Sequence, residues 1–231
     1  MIKSILLFLA LIFFTISNNL LANNIISYIT KPQNIKLFHA TKDGKIFGNF
    51  KNLKSYLKEQ NKTLIFAMNG GMYMKDLSPQ GLYIEDGKVI KDINRVKNAY
   101  GNFYMQPNGV FFIKNNRAFI RPTNNLKDFK NIKYATQSGP MLVVNGKINS
   151  KFNPNSTSYY IRNGVGVLPN GDTIFAISKE PIRFYDFAKF FKDKGCKNAL
   201  YLDGYVSKIY LPKKGIKDQD GVFGIIIAEV K

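Results

Sequence analysis

Four places in this 231-residue chain share one pattern: an apolar run ends and a polar side chain stands beside glycine. They are Asn69-Gly70-Gly71-Met72-Tyr73, Gln137-Ser138-Gly139-Pro140, Arg162-Asn163-Gly164-Val165-Gly166 and Leu202-Asp203-Gly204-Tyr205. Glycine at such points permits unusual backbone angles or the close approach of a ligand to the main chain. Each alone reads as a turn. Together they resist that reading, because none looks like a two-residue hairpin turn, and polar groups at the ends of neighbouring strands would converge. Asp203 follows Ala199-Leu200-Tyr201-Leu202, which places a carboxylate at the mouth of a buried strand. There it serves as a general base or nucleophile, or as a plain turn or cap residue.

Other chemistries are narrowed by composition. His39 is the sole histidine and Cys196 the sole cysteine. That excludes zinc sites of the usual His/Cys type, an internal disulfide, and nucleophile devices built on a second histidine. His39 sits in the apolar run IKLFHA and reads as a satisfied core residue. Carboxylate and Asn oxygens suit a divalent cation in principle, but nothing has the spacing of a calcium loop. No cofactor is expected. The net charge of +19 would attract anionic partners, yet the lysines are scattered among many Asn and Ile residues as in compositional drift. No zinc-knuckle, RNP or helix-turn-helix pattern supports a nucleic-acid partner.

The elements that must position these residues are mostly short β-type runs. IISYI, IKLFHA and KIFGNF open the domain, and turn signals such as Asp86-Gly87, Asn115-Asn116, Asn145-Gly146 and Asn170-Gly171 divide later runs into antiparallel hairpins. Apolar spacing of three and four predicts amphipathic helices over FKNLKSYLKEQ and RFYDFAKFFKDKG, the second stopped by Gly195. The expected fold is α+β, one domain of largely antiparallel or mixed sheet with two or more packed helices. Met1-Ile2-Lys3 and the apolar run Ile5–Ile16 before Leu20-Leu21-Ala22 read as a secretory signal over residues 1–22, leaving 23–231 as the domain. That run, about 12 residues, is shorter than the roughly 20 a membrane-spanning helix needs. The expected location is periplasmic or extracellular, with no stable membrane insertion after cleavage.

The blocks AMNGGMY…SPQGLYIEDGK, NFYMQPNGVFFI, ATQSGPMLVVNGKI, IRNGVGV and CKNALYLDGYVSKIY occur in this order and cover most of residues 63 to 210. In them the sequence resembles the phosphodiester glycosidases, the group that contains the lysosomal uncovering enzyme, and within it a small secreted bacterial branch. The resemblance departs at Tyr205, where the family often has a second glycine; Val206-Ser207 still matches its tail. It implies hydrolysis of a sugar-1-phosphodiester at the anomeric carbon, with a phosphorylated glycan as substrate. A phosphate leaving group is far less basic than the alkoxide of ordinary glycosides, so one carboxylate and one guanidinium could suffice. On that reading Asp203 is the base or nucleophile and Arg162 the fork for two phosphate oxygens, its competing role being a surface salt bridge. Asn69, Gly70, Gly71, Tyr73, Ser138, Gly139, Gly204 and Ser207 form the substrate-binding set. Tyr73 and Tyr205 stack on a sugar or pack in the core. Glu180, Asp186 and Asp76 are candidate partner carboxylates. The competing function is a non-catalytic polysaccharide-binding protein of envelope or exopolysaccharide assembly.

Overall fold

The computed structural model describes residues 24–203 and 206–231. The expected signal segment, Gly204 and Tyr205 lie outside the described residues. The first half contains β1 (Ile25–Thr30), β2 (Ile35–Phe38), α1 (Phe50–Glu59), β3 (Leu64–Asn69), β4 (Tyr83–Glu85), β5 (Lys88–Lys91), β6 (Gly109–Lys114) and β7 (Arg117–Pro122). The second half continues with β8 (Ile132–Ser138), β9 (Met141–Val144), β10 (Lys147–Ile148), β11 (Asn163–Val167), β12 (Thr173–Ser178) and α2 (Phe184–Asp193). It closes with β13 (Ala199–Asp203), β14 (Ile209–Leu211), β15 (Ile216–Lys217) and β16 (Ile226–Val230). The result is an α+β domain of three antiparallel sheets. Their strand orders are β1-β12-β11-β13-β9-β10, β15-β14-β3-β16-β2 and β5-β4-β8-β6-β7.

Strand alternation decides where each sheet is buried. The inner faces of all three meet in one core, with Val165, Phe175, Leu200 and Leu202 from the first sheet. Phe66, Met68 and Ile227 come from the second, and Tyr83, Phe111 and Ile113 from the third. The helices cover the outer faces of the first two. Phe50, Leu53 and Leu57 of α1 pack on Ala67, Tyr210 and Ala228. Phe187, Ala188 and Phe191 of α2 pack on Ile174, Ala176, Ala199 and Tyr201. Each buried phenylalanine there contributes about 1.5–3 kcal/mol. Close approach of α2 requires the glycines of β11. A Cβ on Gly166 would lie 2.8 Å from the Phe191 ring and 2.7 Å from Cys196 Sγ.

KIFGNF departs from its expected strand. Only a single bridge, Ala40 to Ile46, forms there. Gly48 takes φ +70°, and the Asn49 side chain accepts a hydrogen bond from the Asn52 N–H at 2.9 Å. The segment therefore turns into α1 instead of extending.

His39 is held by the fold. Its Nδ1 lies 2.8 Å from the Gly224 carbonyl, and its ring meets Tyr83 edge-on. Beside it, Glu85 Oε2 accepts from the Tyr83 hydroxyl at 2.6 Å and from the His39 N–H at 3.2 Å. Burial nonetheless raises the Glu85 carboxyl above its ordinary range. The folded state thus keeps this proton to higher pH than the unfolded chain does. Glu85 favours folding below the usual glutamate range and costs stability as pH rises through the folded value. Glu85→Gln is expected to raise Tm at pH 7 by about 2–4 °C, the shift that 1 kcal/mol gives in a domain of this size. The gap between variant and wild type closes as a thermal melt series is carried down to about pH 4.

Candidate active site

Three strand ends from three different sheets meet at one point. Asn69 ends β3, Ser138 ends β8 and Asp203 ends β13, while Asn163 opens β11 beside Asp203. All four are buried. Asn69 Nδ2 donates to Asp203 Oδ2 at 3.1 Å. Asn163 Nδ2 donates to the carbonyl and to Oδ1 of Asn69, both at 2.9 Å. Asn163 Oδ1 in turn accepts the Asp203 N–H at 2.8 Å. Asn69 Oδ1 also takes the Lys208 N–H at 2.8 Å, so both amides are used on both sides. The Ser138 hydroxyl donates to the Leu202 carbonyl at 3.1 Å, and the Ser207 hydroxyl donates to the Asp203 carbonyl at 3.0 Å. These contacts clamp the backbone around the Asp203 carboxylate.

Asn163 is the knot of this network, and the sequence reading passed over it for its neighbour. Removing its side chain strands the buried Asp203 N–H at a cost of about 1–3 kcal/mol. Asn163→Ala is therefore expected to lower the urea midpoint with the m-value unchanged.

Arg162 points elsewhere. It lies on the α2 side of the sheet, 1% exposed, with its guanidinium stacked 3.6 Å from the Phe184 ring centre. Its Nε donates to the Ile182 carbonyl at 2.8 Å, Nη2 to the Ser158 carbonyl at 3.3 Å and Nη1 to the Tyr201 hydroxyl at 3.5 Å. Among the described residues no carboxylate forms a salt bridge with it, so the surface ion pair is not its role. Burial pushes its pKa down, but a guanidinium remains charged at neutral pH. The three contacts use three of its five N–H groups. It lines a cavity of about 470 Å³ together with Tyr100, Met105, Ser158, Tyr160, Phe184 and Tyr201. Asp203 does not line this cavity itself; the β11–β13 pairing shifts register between Tyr201 and Asp203, and Tyr201 is the cavity residue that stands nearest to it in sequence. Burial raises the Tyr201 phenol first of all, and the Asp203 charge raises it further.

The remaining expected residues fall outside this cavity lining. Tyr73 bonds the Val222 carbonyl at 2.7 Å and packs against the α1 cluster, so it is not the sugar platform. The space beside Gly70 and Gly71 is filled by protein: a Cβ would lie 2.2 Å from Ile227 Cγ1 and 2.1 Å from Thr136 Oγ1. At Gly139 a Cβ would meet Asn108 Cβ and the Phe103 carbonyl, both at 2.7 Å. These glycines serve packing where they were expected to admit substrate. Asp186 is paired with Arg183 at 2.6 Å, Asp76 accepts from Ser78, and Glu180 is exposed. Among the described residues no group of three or more His, Cys, Asp or Glu side chains gathers to hold a metal.

The family model for phosphodiester glycosidases matches residues 62–219. The chain belongs to this family. Every residue of the network above lies within the matched phosphodiester glycosidase region. An uncharacterised Escherichia coli K12 protein, YigE, is 37% identical over 188 residues, covering 80% of this chain and 73% of its own. The zebrafish N-acetylglucosamine-1-phosphodiester alpha-N-acetylglucosaminidase catalytic domain, solved auto-inhibited by its pro-peptide, shares the fold with a TM-score of 0.60. It is 16% identical, over 89% of this chain and 82% of that one. A hypothetical protein from Synechocystis gives a TM-score of 0.54 at 14% identity, over 89% of this chain and 58% of that one. No helix among the described residues of this phosphodiester glycosidase family member is long and apolar enough to cross a membrane.

Proposed function

We propose that the chain is an exported glycosidase that hydrolyses a sugar-1-phosphodiester of envelope or extracellular glycans, releasing free sugar and a phosphomonoester. One observation carries this reading. A buried guanidinium that no described carboxylate neutralises faces a cavity, and Tyr201 of the cavity lining lies two residues before the clamped Asp203. An anionic ligand compensates such a charge, and a bridging phosphate offers two oxygens to the two N–H groups left free on Arg162. The bond that breaks joins the anomeric carbon to the phosphate oxygen, and its electron pair leaves with the phosphate. Water adds to the anomeric carbon. Asp203 accepts the proton of that water, or first forms a glycosyl ester that water then opens. Asn69, bonded to Asp203 Oδ2, holds the carboxylate for either course.

Incubation with methylphosphoryl α-N-acetylglucosamine in heavy-oxygen water tests the proposal. Label in the released sugar supports it, and label in the phosphate places the cleavage at phosphorus and overturns it. Absence of any turnover across several sugars, with polysaccharide retained by the protein, returns the chain to the binding-protein reading.

A further inference from the structure

Three aromatic side chains of the described residues are largely exposed: Tyr100 at 102%, Tyr160 at 54% and Tyr159 at 50%. Two of them, Tyr100 and Tyr160, line the Arg162 cavity. Tyr159 faces Arg183 instead, whose guanidinium lies 5.7 Å from its ring centre. We propose that Tyr100 and Tyr160 form a sugar-stacking subsite at the mouth of this cavity. The molecule accepted is then an oligosaccharide or polymer joined through the phosphodiester, rather than a single sugar capped by a small alkyl group. The inference rests on the glycosidase reading of the cavity.

Two features make these rings a platform instead of loose surface tyrosines. The first is anchoring. Tyr160 is bonded to Ile182 through both backbone groups, at 3.3 and 2.8 Å. Its ring lies over the Arg162 guanidinium at 5.4 Å. Tyr100 precedes Gly101, whose φ of +106° turns the chain, and the Gly101 carbonyl takes the Tyr104 N–H at 3.1 Å. Phe103, 1% exposed, pins this turn to the core. The second feature is polarity along the cavity. The guanidinium stands buried against Phe184, and the exposed aromatic faces stand at solvent. A ligand with an anionic group inside and rings with apolar C–H faces outside matches that order, since an aromatic face attracts such edges. A volume of about 470 Å³ lies in the range of roughly 300–1,000 Å³ that encloses a drug-sized ligand.

The test uses two phosphodiesters that share the α-N-acetylglucosaminyl 1-phosphate half and differ in the other, methyl in one and a trisaccharide in the other. The wild type is expected to favour the trisaccharide diester by about tenfold in kcat/KM, the yield of one good aromatic contact. Tyr100→Ala and Tyr160→Ala bring that ratio towards one, while Tyr100→Phe keeps it, because the stacking face survives. A wild-type ratio near one, or a ratio that both alanine variants preserve, overturns the subsite. If neither diester is turned over, the catalytic reading falls and binding decides the subsite alone. Isothermal titration calorimetry with the trisaccharide diester then reads affinity without relying on either ring as a reporter. Binding of the trisaccharide diester about tenfold weaker in Tyr100→Ala sustains the subsite, and equal binding overturns it.

Discussion

Asp203→Asn is expected to lower kcat on methylphosphoryl α-N-acetylglucosamine by about 10²- to 10⁴-fold, the usual worth of a positioned base. KM and Tm should move little. The substitution keeps the shape of the side chain and leaves the Asp203 N–H on Asn163 Oδ1, so the local clamp survives. What it removes is the carboxylate that Asn69 orients. Steady-state kinetics beside a thermal melt read the two quantities independently. A kcat within threefold of wild type at unchanged Tm would remove Asp203 from the chemistry and leave it a strand-end structural residue.

Inorganic phosphate is expected to stabilise the wild type and to leave Arg162→Met unmoved. A ligand at a hundred times its Kd adds about 2.7 kcal/mol, which for a domain of this size is a rise in Tm of about 5–10 °C. The effect follows from the site of the charge. Arg162 is backed by an aromatic ring and held by neutral oxygens, so an incoming anion gains a full electrostatic partner. Methionine keeps much of the bulk against Phe184 and discards the charge, and its own Tm falls because Ile182 loses its donor. On the diester substrate, kcat/KM should fall by about 10²- to 10³-fold, as for loss of a preorganised donor to developing charge. Equal phosphate responses in both proteins would make Arg162 a structural cation only.

The sequence exposed more of the scaffold than of the site. Helical spacing located α1 and α2, and Asx-Gly turns marked the ends of consecutive strands, because both signals are local. KIFGNF failed for a local reason too: a helix cap at Asn49 outweighed β propensity. At the site, four polar-plus-glycine steps were legible, but in the third Asn163 stood unmarked beside Arg162. Asn69, Ser138 and Asp203 each directly precede a glycine, and the residue that does so in the third block is Asn163. Arg162 and Asn163 alternate across the strand, so one enters the cavity and the other the network. The aromatic mouth left no trace in any pattern. Tyr100 and Tyr160 come from separate loops, and exposure is a property of the folded surface.

The Asn69–Asp203 contact joins residues 134 positions apart, and Asn163 to Asn69 spans 94. Such pairings are non-local, and chains rich in them fold slowly because loop closure must precede the contacts that reward it. The site also draws its members from three separate sheets. No collapsed intermediate that lacks one sheet contains the clamp. The clamp around Asp203 thus reports complete assembly, because it exists only once all three sheets are in place.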